Sequence, residues 1–165
     1  MKVWKNPEFW SVIFLIVAAA TIVVEFYPHS RSPILFDSQA VYHWIGWTGA
    51  LYIAVATPIY HIIKRRNVKS YQSIMRFHIL GNLIAFLLVS IHFTHQIGSP
   101  PILGTYTHLG LTMYAALFFQ IVTGVLIRYQ FYKNYLKTIR FIHVAFITPF
   151  YIVLFVHILH GLNVI

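Results

Sequence analysis

Residues 140–161 read RFIHVAFITPFYIVLFVHILHG, an apolar run long enough to cross a bilayer that still carries three histidines, His143, His157 and His160. Residues 76–98, RFHILGNLIAFLLVSIHFTHQIG, repeat the pattern with His78, His92 and His95. In both runs the first two histidines are 14 residues apart and the third follows three residues later. An ionisable side chain at hydrocarbon depth is costly and marks function by default. Two runs with the same costly spacing call for one shared explanation.

The rest of the chain suits a bilayer. Of its 165 residues 59% are hydrophobic, and the mean hydropathy is +0.72, which places it among membrane proteins and leaves little chain for a soluble domain. There is no cysteine, which excludes disulfides, thiolate catalysis and cysteine-ligated iron–sulfur clusters. Five apolar segments are expected to form helices, over residues 8–27, 40–63, 75–97, 106–129 and 139–162. Each reaches the roughly 20 residues that a hydrocarbon core about 30 Å thick demands. None alternates with a period of two, so strands are not expected. The first segment is too long, and lacks a small-residue cleavage site, to be a signal peptide, so it is read as a retained span.

The net charge of +9 is explained by where the charges fall. Lys2 and Lys5 precede the first segment. Lys64, Arg65, Arg66, Lys69 and Arg76 lie between the second and third, and Arg128, Lys133, Lys137 and Arg140 between the fourth and fifth. If five spans alternate, these eleven of the twelve basic residues share one side, and the other side keeps Arg31 with Asp37. The positive-inside rule then predicts a cytoplasmic N-terminus and an external C-terminus. Anionic lipid headgroups are the expected counter-charge, and no nucleic-acid partner is needed. The outer connections, residues 33–36 and 99–104, are proline-punctuated and apolar. They read as rigid hairpins or as segments lying in the interface. Trp4, Trp10, Trp44 and Trp47 fall near span ends, where indoles anchor at headgroup level.

Helical geometry sorts the histidines. A step of 14 residues is about 21 Å of rise and a rotation about 40° short of four turns, so His78 and His92 share a face at two depths, as do His143 and His157. The third and fifth segments run in the same direction, which offers two matched imidazole pairs. His78 pairs with His143 near the cytoplasmic side, and His92 with His157 near the external side. Neutral imidazole is a good axial ligand for haem iron, and the core of a helix bundle is where such sites are built. Two haems, one above the other, are therefore expected. His95 and His160 lie 17 residues from the inner histidines, about 100° off the face, and are read as supporting groups or alternative outer ligands.

Other residues fit the same frame with plainer readings beside it. His43 and His108 are 65 residues apart, the offset that also relates 78 to 143 and 92 to 157, so residues 40–97 and 106–162 read either as two copies of one hairpin or, since few other residues match at this offset, as two hairpins that share only their ligand geometry. His43 and His108 begin helices near the depth of the outer histidines. That crowding suits proton release or a quinol site, a metal site, or a few satisfied interfacial groups. Gly110 and Gly124 are again 14 apart, and Gly81 follows His78 by three; with Gly46 and Gly49 they would let a backbone approach a flat macrocycle or simply another helix. Arg76 and Arg140 precede the inner histidines, as partners for haem propionates or as snorkelling anchors. His61 and His29 read as interfacial. Glu25, Asn82 and Gln120 are polar groups within spans that receive no role, and Pro58 and Pro149 are expected to kink their helices.

Two pairs of histidines spaced H-x13-H, on helices separated by one other helix, resemble the dihaem b-type cytochromes. One such family is the cytochrome b of quinol:cytochrome c reductases, whose four-helix haem bundle also has glycines at this spacing. Another is the transmembrane domain of ferric reductases and NADPH oxidases, whose ligand helices are the third and fifth and whose N-terminus is cytoplasmic. The resemblance covers residues 40–162 and implies His78, His92, His143 and His157 as axial ligands of two haem b groups. No counterpart appears of the proline-glutamate-tryptophan-tyrosine quinol motif, of the reductase's later helices, or of the oxidases' sixth span and flavin and nicotinamide domains.

The expectation is thus an all-α membrane protein of five transmembrane helices. Helices two to five form a four-helix haem-binding bundle, and helix one is an extra span. Its expected role is the electron-conducting cytochrome b subunit of a respiratory complex in a prokaryotic cell membrane, exchanging with quinone or a partner redox protein. A ferric-reductase-like carrier fed by a separate flavoprotein is one alternative. A haem-free proton or metal transporter or assembly subunit is another; an inverted repeat with broken helices would mark a transporter.

Overall fold

The structure is a computed structural model and describes residues 6–26, 39–66, 71–97 and 105–162. Among these all regular structure is helical: α1 (Pro7–Phe26), α2 (Gln39–Arg66), α3 (Tyr71–Ile97), α4 (Thr105–Tyr129), α5 (Leu136–Ala145) and α6 (Ile147–Gly161), with a single 3-10 turn at Lys133–Tyr135. Trp4, His29, Arg31, Asp37, Lys69 and the two proline-punctuated connections lie outside the described residues, as does the side chain of Glu25.

Helix starts and stops follow local chemistry. Asn6 caps α1, its Oδ1 accepting from the Glu8 amide at 3.0 Å. Pro7 follows in the first helical position, where a missing N–H costs nothing. Gln130, in the left-handed region at φ 53°, closes α4 and turns the chain toward the 3-10 turn.

The fifth expected helix is two helices meeting at Phe146. Pro149 has no N–H to offer the Ala145 carbonyl, so one rung of the ladder is missing. The rungs on either side persist, from Phe146 N to Ile142 O at 3.0 Å and from Phe150 N to Phe146 O at 3.1 Å. The expected kink at Pro149 is thus a one-residue interruption. α2 runs from Gln39 to Arg66 without a break at Pro58.

Among the described residues, three stretches are long and apolar enough to cross a membrane: Gln72–Gln96, His108–Tyr129 and Lys133–Gly161. In α1 the apolar stretch, Glu8–Val24, is shorter. α2 has the length, but tyrosines, threonines and histidines dilute its apolar character.

The chain divides into two compact units, residues 1–100 and 101–165. In the first, α3 packs against both α1 and α2. Val12 and Ala19 of α1, Tyr42 and Ile53 of α2, and Leu83, Ala85 and Phe86 of α3 are its buried core. In the second, α4 packs against α5 and α6 around Met113, Leu117, Phe150 and Leu154. Polarity is arranged as a bilayer would have it. Phe14, Phe77, Phe141 and Phe155 are exposed by 62–76%, while Ser90 and Thr94 are fully buried. The hydroxyls of Ser90 and Thr94 donate to carbonyls one turn back, Phe86 O and Ser90 O, both at 2.8 Å. That satisfies them without water, the condition for a polar group in hydrocarbon.

Candidate functional site

In the first unit both leading histidines of α3 turn toward α2. The two helices approach closely because Gly49 lies against the Ala85 carbonyl, where a Cβ would sit at 2.9 Å. His92 rests over Gly46; a Cβ there would come within 2.5 Å of its Cγ. Its Nδ1 is 3.0 Å from the Tyr42 carbonyl oxygen. A carbonyl only accepts, so the ring proton sits on Nδ1 and Nε2 keeps its lone pair.

His78 lies under Tyr60, with ring centroids 4.2 Å apart and planes 16° from parallel. Its Nδ1 is 3.1 Å from Asn82 Nδ2. The ring also lines an open groove of about 610 Å³ between α2 and α3, walled mainly by Leu51, Val55, Ile59 and Phe77.

Other predicted residues of this unit find different neighbours. His95, three residues after His92, also turns to α2, stacking on Tyr42 at 3.8 Å. His43 is exposed, its ring 5.5 Å from that of His92, and Gln96 Nε2 donates to its Nε2 at 3.2 Å. Gly81 gives its space to Tyr52, whose hydroxyl donates to the Phe77 carbonyl at 3.0 Å. Arg76 Nε lies 3.4 Å from Glu8 Oε2, an ion pair that ties the start of α3 to α1.

In the second unit, His143 of α5 and His157 of α6 both face α4. Gly124 lies opposite His143, where a Cβ would be 3.5 Å from Cε1, and Gly110 lies opposite His157 at 3.8 Å. The equal steps of 14 on the two sides keep both pairs in register across the interruption at Phe146. Thr123 Oγ1 is 2.8 Å from His143 Nδ1 and also 2.9 Å from Phe119 O and 3.1 Å from Gln120 O. With its single proton directed at a carbonyl, this oxygen accepts from His143 Nδ1–H and leaves Nε2 with a lone pair. Gln120 Nε2 donates to the His143 carbonyl at 3.2 Å, so α4 holds this residue by both ring and backbone. His160 is half-buried on α6, while His108 and Arg140 are exposed.

His92 and His143 fit a haem ligand set. Ligating histidines engage their other ring nitrogen with a carbonyl, carboxylate or hydroxyl, which sets the tautomer. His92 and His143 have such partners. Tyr42, Thr123 and Gln120 were missed by sequence reasoning, and only Gln120 carried a signal, as an amide stranded in an apolar span. Among the described residues no group of three or more His, Cys, Asp or Glu side chains is arranged to hold a metal ion. A bis-histidine haem takes two axial imidazoles and needs no such group of three. Comparison with known proteins finds no counterpart: no family model, no curated protein and no solved structure matches the chain.

Proposed function

We propose that the chain is a dihaem cytochrome b subunit that conducts electrons across or into the membrane as part of a larger redox complex. The observation that carries this reading is the state of the candidate ligands. His92 holds its Nδ1 proton against the Tyr42 carbonyl, and His143 has Thr123 to do the same, so each keeps Nε2 as a donor. In this reading His78 and His143 ligate the inner haem b, and His92 and His157 the outer. All five hydrophobic segments span the membrane, with the basic connections at the cytoplasmic side.

Haem b supplies a one-electron couple at each level. At His92 and His143 the chain's own residues orient the imidazole and hold its proton on Nδ1. Gly110 and Gly124 face the rings of His157 and His143 at ordinary contact distance. Quinone or a partner redox protein is the proposed exchange partner, and anionic lipids neutralise the basic cytoplasmic ends.

Substitution of the ligands tests the assignment. His78→Ala or His143→Ala is expected to remove the inner haem and leave the outer. His92→Ala or His157→Ala is expected to do the reverse. Equal loss of both haems in every variant contradicts two separate sites.

A further inference from the structure

Asn82 follows His78 by four residues on α3, a spacing at which two helical side chains touch. Its Nδ2 is 3.1 Å from His78 Nδ1, and its Oδ1 is buried without a hydrogen-bond partner. An amide nitrogen only donates, so in this arrangement Nδ1 accepts and the ring proton sits on Nε2. A ring in that tautomer has no lone pair on Nε2 and cannot ligate iron through it.

A half-turn of the amide about its last side-chain bond exchanges its two ends, which are nearly equal in size. Oδ1 then accepts from Nδ1–H, and Nε2 becomes a donor. Nothing ties Oδ1 to its present place, so the turn breaks no bond on that side. The ring is less free than the amide, because Tyr60 lies flat against it. His92, facing a backbone carbonyl, has one tautomer open to it; His78, facing an amide, has two.

We propose that Asn82 is a positioning residue for the inner haem. When haem is bound it presents Oδ1 to His78 Nδ1–H, selects the tautomer whose Nε2 ligates, and raises the ring's basicity. This inference rests on the haem-ligating role of His78 proposed above.

The test uses the full chain in detergent as wild type, Asn82→Asp and Asn82→Leu. The readouts are haem retention, the midpoint potential of each haem, and the 15N shifts of the His78 ring in haem-free protein. Asp offers only acceptors, so both haems are retained, the inner potential falls, and the haem-free ring carries its proton on Nδ1. Leu offers no acceptor, so the inner haem is held about ten- to a hundred-fold more weakly, in line with losses at supporting residues of metal sites. Its potential rises while the outer one stays. Unchanged retention and potentials in both variants overturn the proposal, as does a shift confined to the outer haem. A wild-type chain that takes up no haem overturns the functional reading and this inference with it, and is distinguished from the other outcomes by the wild-type spectrum.

Discussion

His92 Nδ1 reaches the Tyr42 carbonyl by passing over Gly46, four residues further along the same helix. The carbonyl of residue i points toward residue i+4, so a donor from a neighbouring helix must pass the Cβ at that position. The same device occurs in the other direction. Tyr52 of α2 donates to Phe77 O of α3, and Gly81, four residues after Phe77, is where a Cβ would overlap the phenol. Each helix thus lends the other a carbonyl and a glycine. In the second unit the glycines opposite His143 and His157 leave ordinary contact distance instead, and a hydroxyl replaces the carbonyl as the Nδ1 partner.

Gly46→Ala puts a methyl 2.5 Å from His92 Cγ, too close for either to stay. The expected cost is about 1–3 kcal/mol of overpacking. Loss of the outer haem should accompany it. Gly110→Ala meets His157 at 3.8 Å, an ordinary contact, and should leave thermal stability in detergent near wild type. Melting curves and haem content of the two variants check the contrast.

Tyr52→Phe removes the hydrogen bond to Phe77 O and keeps the packing. A loss of about 0.5–1.5 kcal/mol is expected, with both haems retained. Gly81→Ala should cost more, because the phenol must leave its site altogether. Unfolding in mixed detergent measures both.

Thr123→Val keeps the shape of the side chain and deletes the oxygen beside His143 Nδ1. The inner haem is expected to shift in midpoint potential and bind more weakly, while Thr123→Ser, which keeps the oxygen, behaves as wild type. Redox titration at the haem absorbance checks this. His95→Ala serves as its counterpart at the outer level. It removes a ring stacked on Tyr42 and should spare both haems.

The proposed orientation has a direct chemical test, since the chain contains no cysteine. Arg66→Cys and Lys137→Cys, both at exposed positions, should react with an impermeant thiol reagent only from the cytoplasmic side, and His108→Cys only from outside. Labelling of Arg66→Cys and Lys137→Cys from opposite sides contradicts the alternation of five spans.

The helices were legible because twenty-residue apolar runs and prolines act locally. The expected ends lie within a few residues of α1, α3 and α4, and Pro149 marked the interruption at Phe146. The shared face of His143 and His157 was legible as well, because a step of 14 residues nearly closes whole turns and the one-residue break does not disturb the phase. What periodicity does not carry is the identity of a neighbour across a helix interface. The partner of His92 is a backbone carbonyl, which any residue supplies, so Tyr42 had no signature. His95 shows the same limit: a rotation of about 100° along an ideal helix was expected to take it off the face, yet α2 offers it Tyr42 to stack on. Arg76 lies beside Glu8, a carboxylate in a different helix that spacing does not connect to it. Asn82 and Gln120 stood out as amides in apolar spans, and a search one turn away would have paired Asn82 with His78.

The central claim is that this chain carries two haems between paired histidines. A reduced-minus-oxidised visible spectrum of the purified protein, with haem counted against protein, tests it most directly. The account predicts a six-coordinate b-type spectrum and two haems per chain, one lost with His78→Ala and the other with His92→Ala. A haem-free protein contradicts it.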